Sequence, residues 1–463
     1  MGEVINRHPS SSIEEEKKAR RRKIIKQLPI KKFEIRDSLI AQLCEQNPHI
    51  RVVKHIFAAA LIGLFINTVI HGFSERGELN LGLNVIATGL AKFHWVPPIW
   101  ITLNGCIILC YFGFNVWARI RINMPLKSPN KKLWDSIWLL SLAAYYILQF
   151  RVISVVVTVL KLPIATSSVV CLEQTRLLMK IHAFVRTSAE KVINFKPHSD
   201  QKLNLASFKH FLYFLFAPTL VYCDEYPRRK SIRWNLVFEK TLELVGVIFY
   251  YAFLVERFII PNLKDMGLRS YTIRELGMMA FDNFAVGLMF LLLAFYVVID
   301  AAQNLVGELL RFGDRQFYLD WWTATNYSDY FRMWNMVVGD WLYTYIYKDF
   351  YESIVPGSKT VAKLTVFLIS AIVHEWVLTY IFGFFFPALF LAFCFVGGCL
   401  SFLRIPKLDI VNIIFWYMLA FGCGLLSSLY AMEWFIRANV PIENATLSDF
   451  LVPRLFTCDC IVY

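Results

Sequence analysis

The sequence predicts an all-α polytopic membrane protein with about nine transmembrane helices. Of its 463 residues, 57% are hydrophobic and 16% are aromatic, which is more than a soluble globular chain of this length would carry. The mean hydropathy is +0.48. About nine apolar segments are long enough, or nearly so, to cross roughly 30 Å of hydrocarbon as helices.

The formal net charge of +13 does not indicate a nucleic-acid partner. The basic residues stand in blocks between the apolar segments, which is the pattern expected of loops on the cytosolic side of a membrane. The 10 cysteines are scattered, without the spacing of zinc ligands, and several lie inside apolar segments where cysteine acts as a small hydrophobic residue. We therefore expect no nucleic acid and no metal ion to bind.

Residues 1–52 are polar and strongly basic. No apolar stretch precedes the basic run, so we expect no cleavable signal peptide. We interpret this region as a cytosolic tail, which could end in a short amphipathic helix on the membrane surface. The simpler alternative is a solvated charge run that fixes the orientation of the first span.

The apolar segments form the predicted membrane-embedded domain, residues 53–436. The fourth segment is the most polar, because Arg176, Lys180 and His182 occur within it. Charged groups inside a span must face protein or a water-filled cavity. The predicted segments are 53–73, 97–118, 136–162, 166–187, 238–261, 278–304, 361–380, 383–403 and 410–434.

The connecting segments support one orientation. With a cytosolic N-terminus, the loops assigned to the cytosol are the basic ones. An odd number of spans then places the tail, residues 437–463, in the lumen. Asn444 begins an Asn-Ala-Thr acceptor for N-glycosylation, which is used only on the lumenal or extracellular side. The long connections 188–237 and 305–360 are rich in aromatic residues, so we expect them to pack against the helix bundle.

One histidine, His374, lies in the apolar segment Lys363–Tyr380 and is followed by Glu375. Lipid cannot hydrate an imidazole, so this position is costly and indicates a function. A neutral imidazole can accept a proton from an alcohol during attack on an activated acyl group. A neutral donor such as Asn335 could stabilise the negative charge that develops on the acyl oxygen.

The residues alone leave alternatives open. No G-x-S-x-G, H-x-x-x-x-D, Asp-His-His-Cys, H-E-x-x-H or P-loop motif is present, so a covalent serine or cysteine mechanism has no support. His374 could equally belong to a proton relay in a transporter, together with Asp282 and Asp300, or form a buried structural hydrogen bond. No pair of interrupted helices at matching positions indicates transporter repeats.

The aromatic block Arg311–Phe350, followed by Ser370–Trp376, resembles the membrane-bound O-acyltransferase (MBOAT) family and, within it, the sterol O-acyltransferases. The similarity extends over most of the chain from about residue 130. It includes Glu173–Arg186, Phe211–Trp234 and Met432–Cys458. The resemblance implies the MBOAT fold and transfer of a long-chain acyl group from acyl-CoA to the hydroxyl of a sterol.

The resemblance also implies roles for single residues. His374 matches the family's catalytic histidine, and Asn335 matches the asparagine paired with it at the thioester. A further set matches the signature and the positions near the acyl-CoA site: Phe317, Tyr318, Asp320, Trp321, Trp322, Trp334, Tyr347, Lys359, Ser370 and Arg176.

Structural interpretations of the same residues remain. Asn335 could be a hydrogen bonder in helix packing, and Trp321 and Trp322 could belong to the core. Arg176 and Lys180 could pair with Glu173 or extend to the lipid headgroups.

Relatives of this type imply an endoplasmic reticulum enzyme that forms dimers or tetramers, takes acyl-CoA from the cytosol and takes the sterol from the bilayer. Acyl-CoA is then a co-substrate, and no bound cofactor or metal is required. Two alternatives remain: acylation of another lipid alcohol such as diacylglycerol, and a transporter or lipid-binding protein.

The sequence departs from the family pattern in several places. Thr323 ends the signature where asparagine is usual, and Gly339 and Asp300 stand where well-studied sterol enzymes carry histidines. Val440 replaces a cysteine that pairs, in relatives, with the one matching Cys458. We therefore expect Cys458 and Cys460 to be free or to pair with another chain.

Overall fold

The computed structural model describes residues 28–77, 81, 83–125, 128–195, 203–403, 405–442, 446–458 and 461–462. Most of the N-terminal tail, the acceptor Asn444 and Cys460 lie outside the described residues. The described chain is dominated by helices, as predicted. Its two short strands pair in parallel, with Tyr271 opposite Ile461.

The elements are numbered here in chain order. The α-helices are α1 (Leu39–Gln46), α2 (Pro48–Arg76), α3 (Leu83–Gly89), α4 (Val96–Asn123), α5 (Pro129–Leu160), α6 (Ile164–Asn194), α7 (Phe208–Phe216), α8 (Trp234–Leu254), α9 (Ile260–Leu263), α10 (Ile273–Asp282), α11 (Phe284–Phe295), α12 (Ala302–Leu309), α13 (Tyr327–Trp334), α14 (Met336–Leu342), α15 (Lys359–Phe382), α16 (Ala388–Leu391), α17 (Gly398–Leu400), α18 (Asp409–Asn439) and α19 (Leu447–Leu451). The strands are β1 (Tyr271–Thr272) and β2 (Ile461–Val462). Wider π-helical turns occupy Val255–Ile259, Tyr296–Ala301, Tyr343–Tyr347, Phe350–Ile354 and Ala392–Gly397, and 3-10 turns occupy Phe93–Trp95, Trp321–Thr323 and Arg454–Phe456.

Seven helices in the described residues are long and apolar enough to cross a membrane. They are Pro48–Ser74, Phe93–Asn123, Pro129–Leu160, Trp234–Leu263, Phe284–Leu309, Lys359–Phe382 and Asp409–Asn439. The all-α polytopic class is therefore confirmed, with seven such helices among the described residues where about nine were expected. The predicted segment 166–187 forms the long helix α6, but its charges keep it out of this set. The predicted segment 383–403 is divided into α16, a π-helical turn and α17.

Two cations of α6 stabilise the end of another helix. The Nζ of Lys180, which is only 2% exposed, donates to the carbonyl of Ala217 at 2.6 Å and to that of Phe214. Arg176 donates to the carbonyl of Leu215 at 2.7 Å. The last carbonyls of a helix have no partner within it and carry partial negative charge. The two cations therefore satisfy the C-terminal end of α7, as their position inside an apolar pattern requires.

The helix that carries His374, α15, packs against several elements of the bundle. It contacts α5 and α6 on one side, and the turns Tyr343–Tyr347 and Ala392–Gly397 on others. Ser358 caps its first turn by accepting from the amide of Val361 at 3.4 Å. Gly383 ends it with a φ of +79°, a conformation that glycine adopts without strain.

The first described segment, residues 28–38, lies across the connection 305–360, and we call it the N-terminal strap. Arg36 forms a β-bridge with Asp314, and their side chains form an ion pair at 2.7 Å. Lys31 forms an ion pair with Asp340 of α14, also at 2.7 Å. Burial raises the pKa of the Asp340 carboxyl, and the Lys31 ammonium opposes that shift. The strap thus joins the start of the chain to the connection that carries the signature.

Helices α11 and α18 cross with their backbones in contact. A Cβ added to Gly287 would collide with the backbone of Gly424, and a Cβ added to Gly424 would lie 2.9 Å from the Cα of Phe284. Close to this crossing, Asn283 donates to the hydroxyl of Ser428 at 3.1 Å. Glycine is therefore needed at both positions, because small residues let membrane helices approach closely.

We predict that Gly287→Ala lowers the thermal midpoint of the detergent-solubilised protein, because the added methyl group has only backbone to displace. The expected cost is that of overpacking, about 1–3 kcal/mol. Gly422→Ala, in the partner helix α18, is the matched control, since a Cβ there meets nothing within 4 Å. Equal midpoints for the two variants, measured by heating and size-exclusion chromatography, would contradict the close crossing.

Candidate active site

The His374 imidazole lies in the middle of α15 and faces open space. Its side chain is exposed. The ring is therefore accessible, although α15 packs against several other elements of the bundle. A small molecule could therefore reach the imidazole, as a catalytic role requires.

Hydrogen bonding fixes the tautomer of His374. Its Nδ1 lies 2.7 Å from the backbone carbonyl oxygen of Ser370 and 3.4 Å from the Ser370 hydroxyl. A carbonyl oxygen can only accept, so Nδ1 must carry the hydrogen. The other nitrogen, Nε2, then keeps its lone pair. Because the bond to Ser370 also orients the ring, Nε2 can act as a general base.

Aromatic rings connect His374 with the helix before Asn335. The ring of Phe393, from the turn Ala392–Gly397, stacks on the imidazole with centroids 5.3 Å apart and planes at 22°. Phe393 also contacts Phe331 of α13, with centroids 4.9 Å apart. Asn335 follows Phe331 by one helical turn. The structure thus brings the end of α13 to the same aromatic cluster as the histidine.

Asn335 has one polar atom in use and one available. It lies between α13 and α14, and its Oδ1 accepts from the amide of Val338 at 3.1 Å, which makes it the N-cap of α14. Among the described residues, no hydrogen bond engages its Nδ2 or joins it to His374. The interpretation of Asn335 as a structural hydrogen bonder is therefore correct for its side-chain oxygen, whereas its amide nitrogen is free to donate to a substrate.

The signature lies beside Asn335 through backbone hydrogen bonds. The amide of Leu319 donates to the carbonyl of Met333 at 2.9 Å, and the amide of Met336 donates to the carbonyl of Phe317 at 2.8 Å. Phe317 and Tyr318 are 2% and 1% exposed, so they serve as core residues in this structure. The backbone pairing holds the turn around Asn335 in place.

The tryptophans of the signature region belong largely to the core. Trp321 is 2% exposed and packs edge-on against Trp334 at 4.6 Å. The carbonyl of Trp322, which is half-buried, accepts from the indole of Trp416 at 3.1 Å. These contacts favour the core interpretation for Trp321, whereas Trp322 and Trp334 are half-buried.

Thr323 replaces the usual asparagine without loss of the local turn. Its hydroxyl donates to the carbonyl of Asp320 at 2.8 Å, and its amide donates to the same oxygen at 3.0 Å. The Asp320 side chain is exposed. This departure from the family pattern therefore preserves the 3-10 turn that ends the signature.

Asp300 is fully buried and balanced by a cation from another helix. Its Oδ2 forms an ion pair with Lys240 of α8 at 2.8 Å, and its Oδ1 accepts from the Tyr318 hydroxyl. Asn304 donates to the same Oδ1 at 3.2 Å. A charge in this position needs such partners. The second departure is thus compensated by Lys240, and it anchors the signature through Tyr318.

Gly339, the third departure, lies one turn after Asn335 on α14. A Cβ placed there would meet nothing within 4 Å. The position therefore has room for a larger side chain, and with glycine no side-chain atom occupies that space.

Tyr347, Lys359 and Ser370 lie on or beside α15. Tyr347 is half-buried and stacks between Tyr343 and Tyr351, with planes at 13° and 9°. Lys359 is exposed at the first residue of α15, and Ser370 orients His374 as described above. Of these three, the structure brings only Ser370 into contact with the candidate base.

Arg176 is engaged by protein groups. It forms a bidentate ion pair with Glu173, with distances of 2.6 and 2.7 Å, in addition to its bond with the carbonyl of Leu215. These contacts favour the pairing interpretation over a contact with CoA phosphate. Lys180, in contrast, pairs with backbone carbonyls and not with Glu173.

Three further expectations concern a polar pathway through Asp282 and Asp300, a metal site and the Cys458 thiol. Asp282 is exposed at the end of α10, and within the described residues no hydrogen bond connects it or Asp300 to His374. No cluster of three or more His, Cys, Asp and Glu side chains that could hold a metal occurs in the same residues. Cys458 is disulfide-bonded, so the expectation of a free thiol there was wrong.

Three features of the site were not predicted. These are the Phe393 ring on His374, the partner Lys240 of Asp300, and Tyr430, which contacts Glu375 at 3.2 Å. The charge of Glu375 in an apolar segment was a signal that it needed a partner. Nothing in the sequence near Phe393 or Tyr430 indicates their contacts.

Comparison with known proteins gives a consistent result. Residues 130–432 match the model of the membrane-bound O-acyltransferase family. Sterol O-acyltransferase 1 of Mus musculus is 36% identical over 457 residues, covering 97% of this chain and 83% of that protein. Sterol O-acyltransferase 2 of Homo sapiens is 33% identical over 438 residues, covering 92% and 80%. These matches confirm the resemblance seen in the sequence. The chain belongs to the membrane-bound O-acyltransferase family and is an acyltransferase.

Proposed function

We propose that this enzyme transfers a long-chain acyl group from acyl-CoA to the hydroxyl of a sterol, with His374 as the general base. The observation that carries the proposal is the bond from Nδ1 of His374 to the carbonyl of Ser370, which leaves Nε2 basic and facing open space. The names of the similar proteins support the sterol as acceptor.

In the proposed reaction, Nε2 of His374 takes the proton of the sterol hydroxyl as its oxygen attacks the thioester carbonyl. The Nδ2 of Asn335 donates a hydrogen bond to the carbonyl oxygen, where negative charge develops. The carbon–sulfur bond then breaks, and the imidazolium returns its proton to the leaving CoA sulfur. Enclosure in the bundle excludes water and favours the ester over hydrolysis of the thioester.

The residues that we propose to contact acyl-CoA differ in how well their positions support that role. Ser370 acts through His374, and Tyr347 and Lys359 lie on or beside the same helix. Asp320, Trp322 and Trp334 retain exposed surface, whereas the buried Phe317, Tyr318 and Trp321 would support the site from behind. Arg176 would have to leave Glu173 before it could contact a phosphate.

For the arrangement in the cell, we propose an endoplasmic reticulum membrane protein with residues 1–52 in the cytosol, 53–436 in the membrane and 437–463 in the lumen. The odd number of apolar spans in the described residues is consistent with termini on opposite sides. Glycosylation of Asn444 would report the lumenal side. A homodimer or homotetramer is proposed from the family resemblance.

We predict that His374→Ala lowers steryl ester formation by about 100-fold or more, because the proton acceptor is lost. The measurement uses membranes from cells without background esterification, supplied with labelled oleoyl-CoA and cholesterol. His94→Ala, at an exposed turn outside the site, is the control and should keep full activity. Full turnover by a folded His374→Ala protein would exclude the mechanism.

We predict that Asn335→Asp keeps the fold and loses activity. The aspartate oxygen can still cap α14 by accepting from the amide of Val338, but the donor toward the thioester is gone. The expected loss is about 100-fold in kcat, as for removal of one oxyanion donor. Asn335→Ala should lose both activity and thermal stability. Activity retained in Asn335→Asp would show that the residue serves only as a cap.

We predict that the acceptor is a sterol. In parallel assays with labelled oleoyl-CoA and cholesterol, diacylglycerol or a long-chain alcohol, label should appear in steryl ester and disappear with His374→Ala. Label in another ester would keep the mechanism and change the acceptor. Flux of lipid without release of CoA would instead favour a transporter.

A further inference from the structure

Glu375 is buried directly after the candidate base and has no cationic partner. Its side chain is 5% exposed, and among the described residues it takes part in no ion pair. An unpaired carboxylate in an apolar interior is costly. The other buried carboxylates described above, such as Asp300, are balanced by a lysine or arginine. Glu375 must therefore be stabilised in another way.

The contacts of Glu375 come from one tyrosine and one short segment. Its Oε2 accepts from the amide of Phe390 at 3.0 Å. Its Oε1 and Oε2 lie 3.3 and 3.2 Å from the hydroxyl of Tyr430, a residue of α18. That hydroxyl is also 2.8 Å from the carbonyl of Phe386 and accepts from the amide of Leu389 at 3.2 Å.

A count of hydrogens favours a neutral carboxyl group at Glu375. The Tyr430 hydroxyl has one hydrogen, and the carbonyl of Phe386, its shortest contact, can only accept. If Tyr430 donates there, the contact with Glu375 needs a hydrogen from the carboxyl group. A neutral acid provides it, since one oxygen can donate to Tyr430 while the other accepts from the amide of Phe390. A carboxylate would place two acceptor oxygens against each other.

These bonds hold the segment that covers His374. Glu375 and Tyr430 fix the backbone at Phe386 and Phe390, and three residues later the ring of Phe393 stacks on the imidazole. Phe393 is held further by the ring of Phe331. One face of the imidazole is thereby covered, and its rotation is limited, so the direction of Nε2 depends on the segment that Glu375 holds.

We propose that Glu375 is a positioning residue, held as a neutral carboxylic acid, which orients the His374 imidazole through Tyr430 and the segment Phe386–Phe393. The inference rests on the proposed role of His374 as general base. It assigns Glu375 no contact with substrate and no transfer of a proton during turnover. A neutral amide of the same shape should therefore replace it.

The test compares Glu375→Gln with Glu375→Leu. The glutamine amide can donate to Tyr430 and its oxygen can accept from Phe390, so we expect kcat within about 3-fold of the wild type, well below the loss caused by a misplaced group. The leucine has a similar size but makes neither bond. We expect it to lower kcat by about 100-fold with little change in the KM for acyl-CoA, because a displacement of about 1 Å suffices for such a loss.

Two further measurements separate positioning from folding. The kcat of Glu375→Gln should show the same pH profile as the wild type, since a group that stays neutral contributes no ionisation. Tyr430→Phe, which removes the shared hydroxyl, should lower kcat as Glu375→Leu does. Thermal midpoints are compared with those of Glu239→Gln, a 54% exposed carboxyl on α8 that serves as control. If the leucine variant fails to fold, the glutamine and phenylalanine variants still decide the question.

The activities of the Glu375, Tyr430 and His374 variants distinguish the neutral acid, the positioning role and the proposed function. A Glu375→Gln enzyme as inactive as Glu375→Leu, or one with an altered pH profile, would overturn the neutral acid and indicate a working carboxylate. Wild-type kcat in both Glu375→Leu and Tyr430→Phe would overturn the positioning role. Full activity of His374→Ala, measured in the same series, would refute the proposed function itself, whatever the Glu375 variants do.

Discussion

A lipid bilayer provides no hydrogen-bond partners, and the arrangement of this protein follows from that constraint. Several charged groups inside its apolar helices pair with groups from other elements. Lys180 satisfies the end of α7, Lys240 balances Asp300 between α8 and the turn before α12, and Glu375 meets Tyr430 between α15 and α18. Each pair that avoids an unsatisfied polar group also fixes the position of two helices. Groups that would be costly alone thus determine how the bundle is assembled.

The candidate site differs, because two of its side chains form only part of their possible hydrogen bonds within the described residues. His374 and Asn335 each use one polar atom for an internal bond, Nδ1 to the carbonyl of Ser370 and Oδ1 from the amide of Val338. The second atom of each, Nε2 and Nδ2, is left for a ligand. The internal bond orients the side chain before any substrate arrives, so little freedom has to be lost in the reaction.

The sequence predicted the class and most of the spans, and its family resemblance singled out the two residues that we propose for the reaction centre. A lone histidine in an apolar segment is visible without a structure, because the cost of its position is a local property. The partners of Asp300 and Glu375 were not visible, since they lie 60 and 55 residues away in the chain and no periodicity relates them. The division of segment 383–403 was also missed, because hydropathy does not reveal a π-helical turn.

The N-terminal strap has a consequence for how the chain matures. Arg36 is synthesised early, but its partner Asp314 follows 278 residues later, and Glu352, which accepts from the amide of Leu28, follows 324 residues later. The N-terminal strap therefore cannot form these contacts until most of the helices have been synthesised. Contacts over such long separations in sequence form slowly. The connection that carries the signature is consequently covered only after translation has passed it, as a late step in biogenesis.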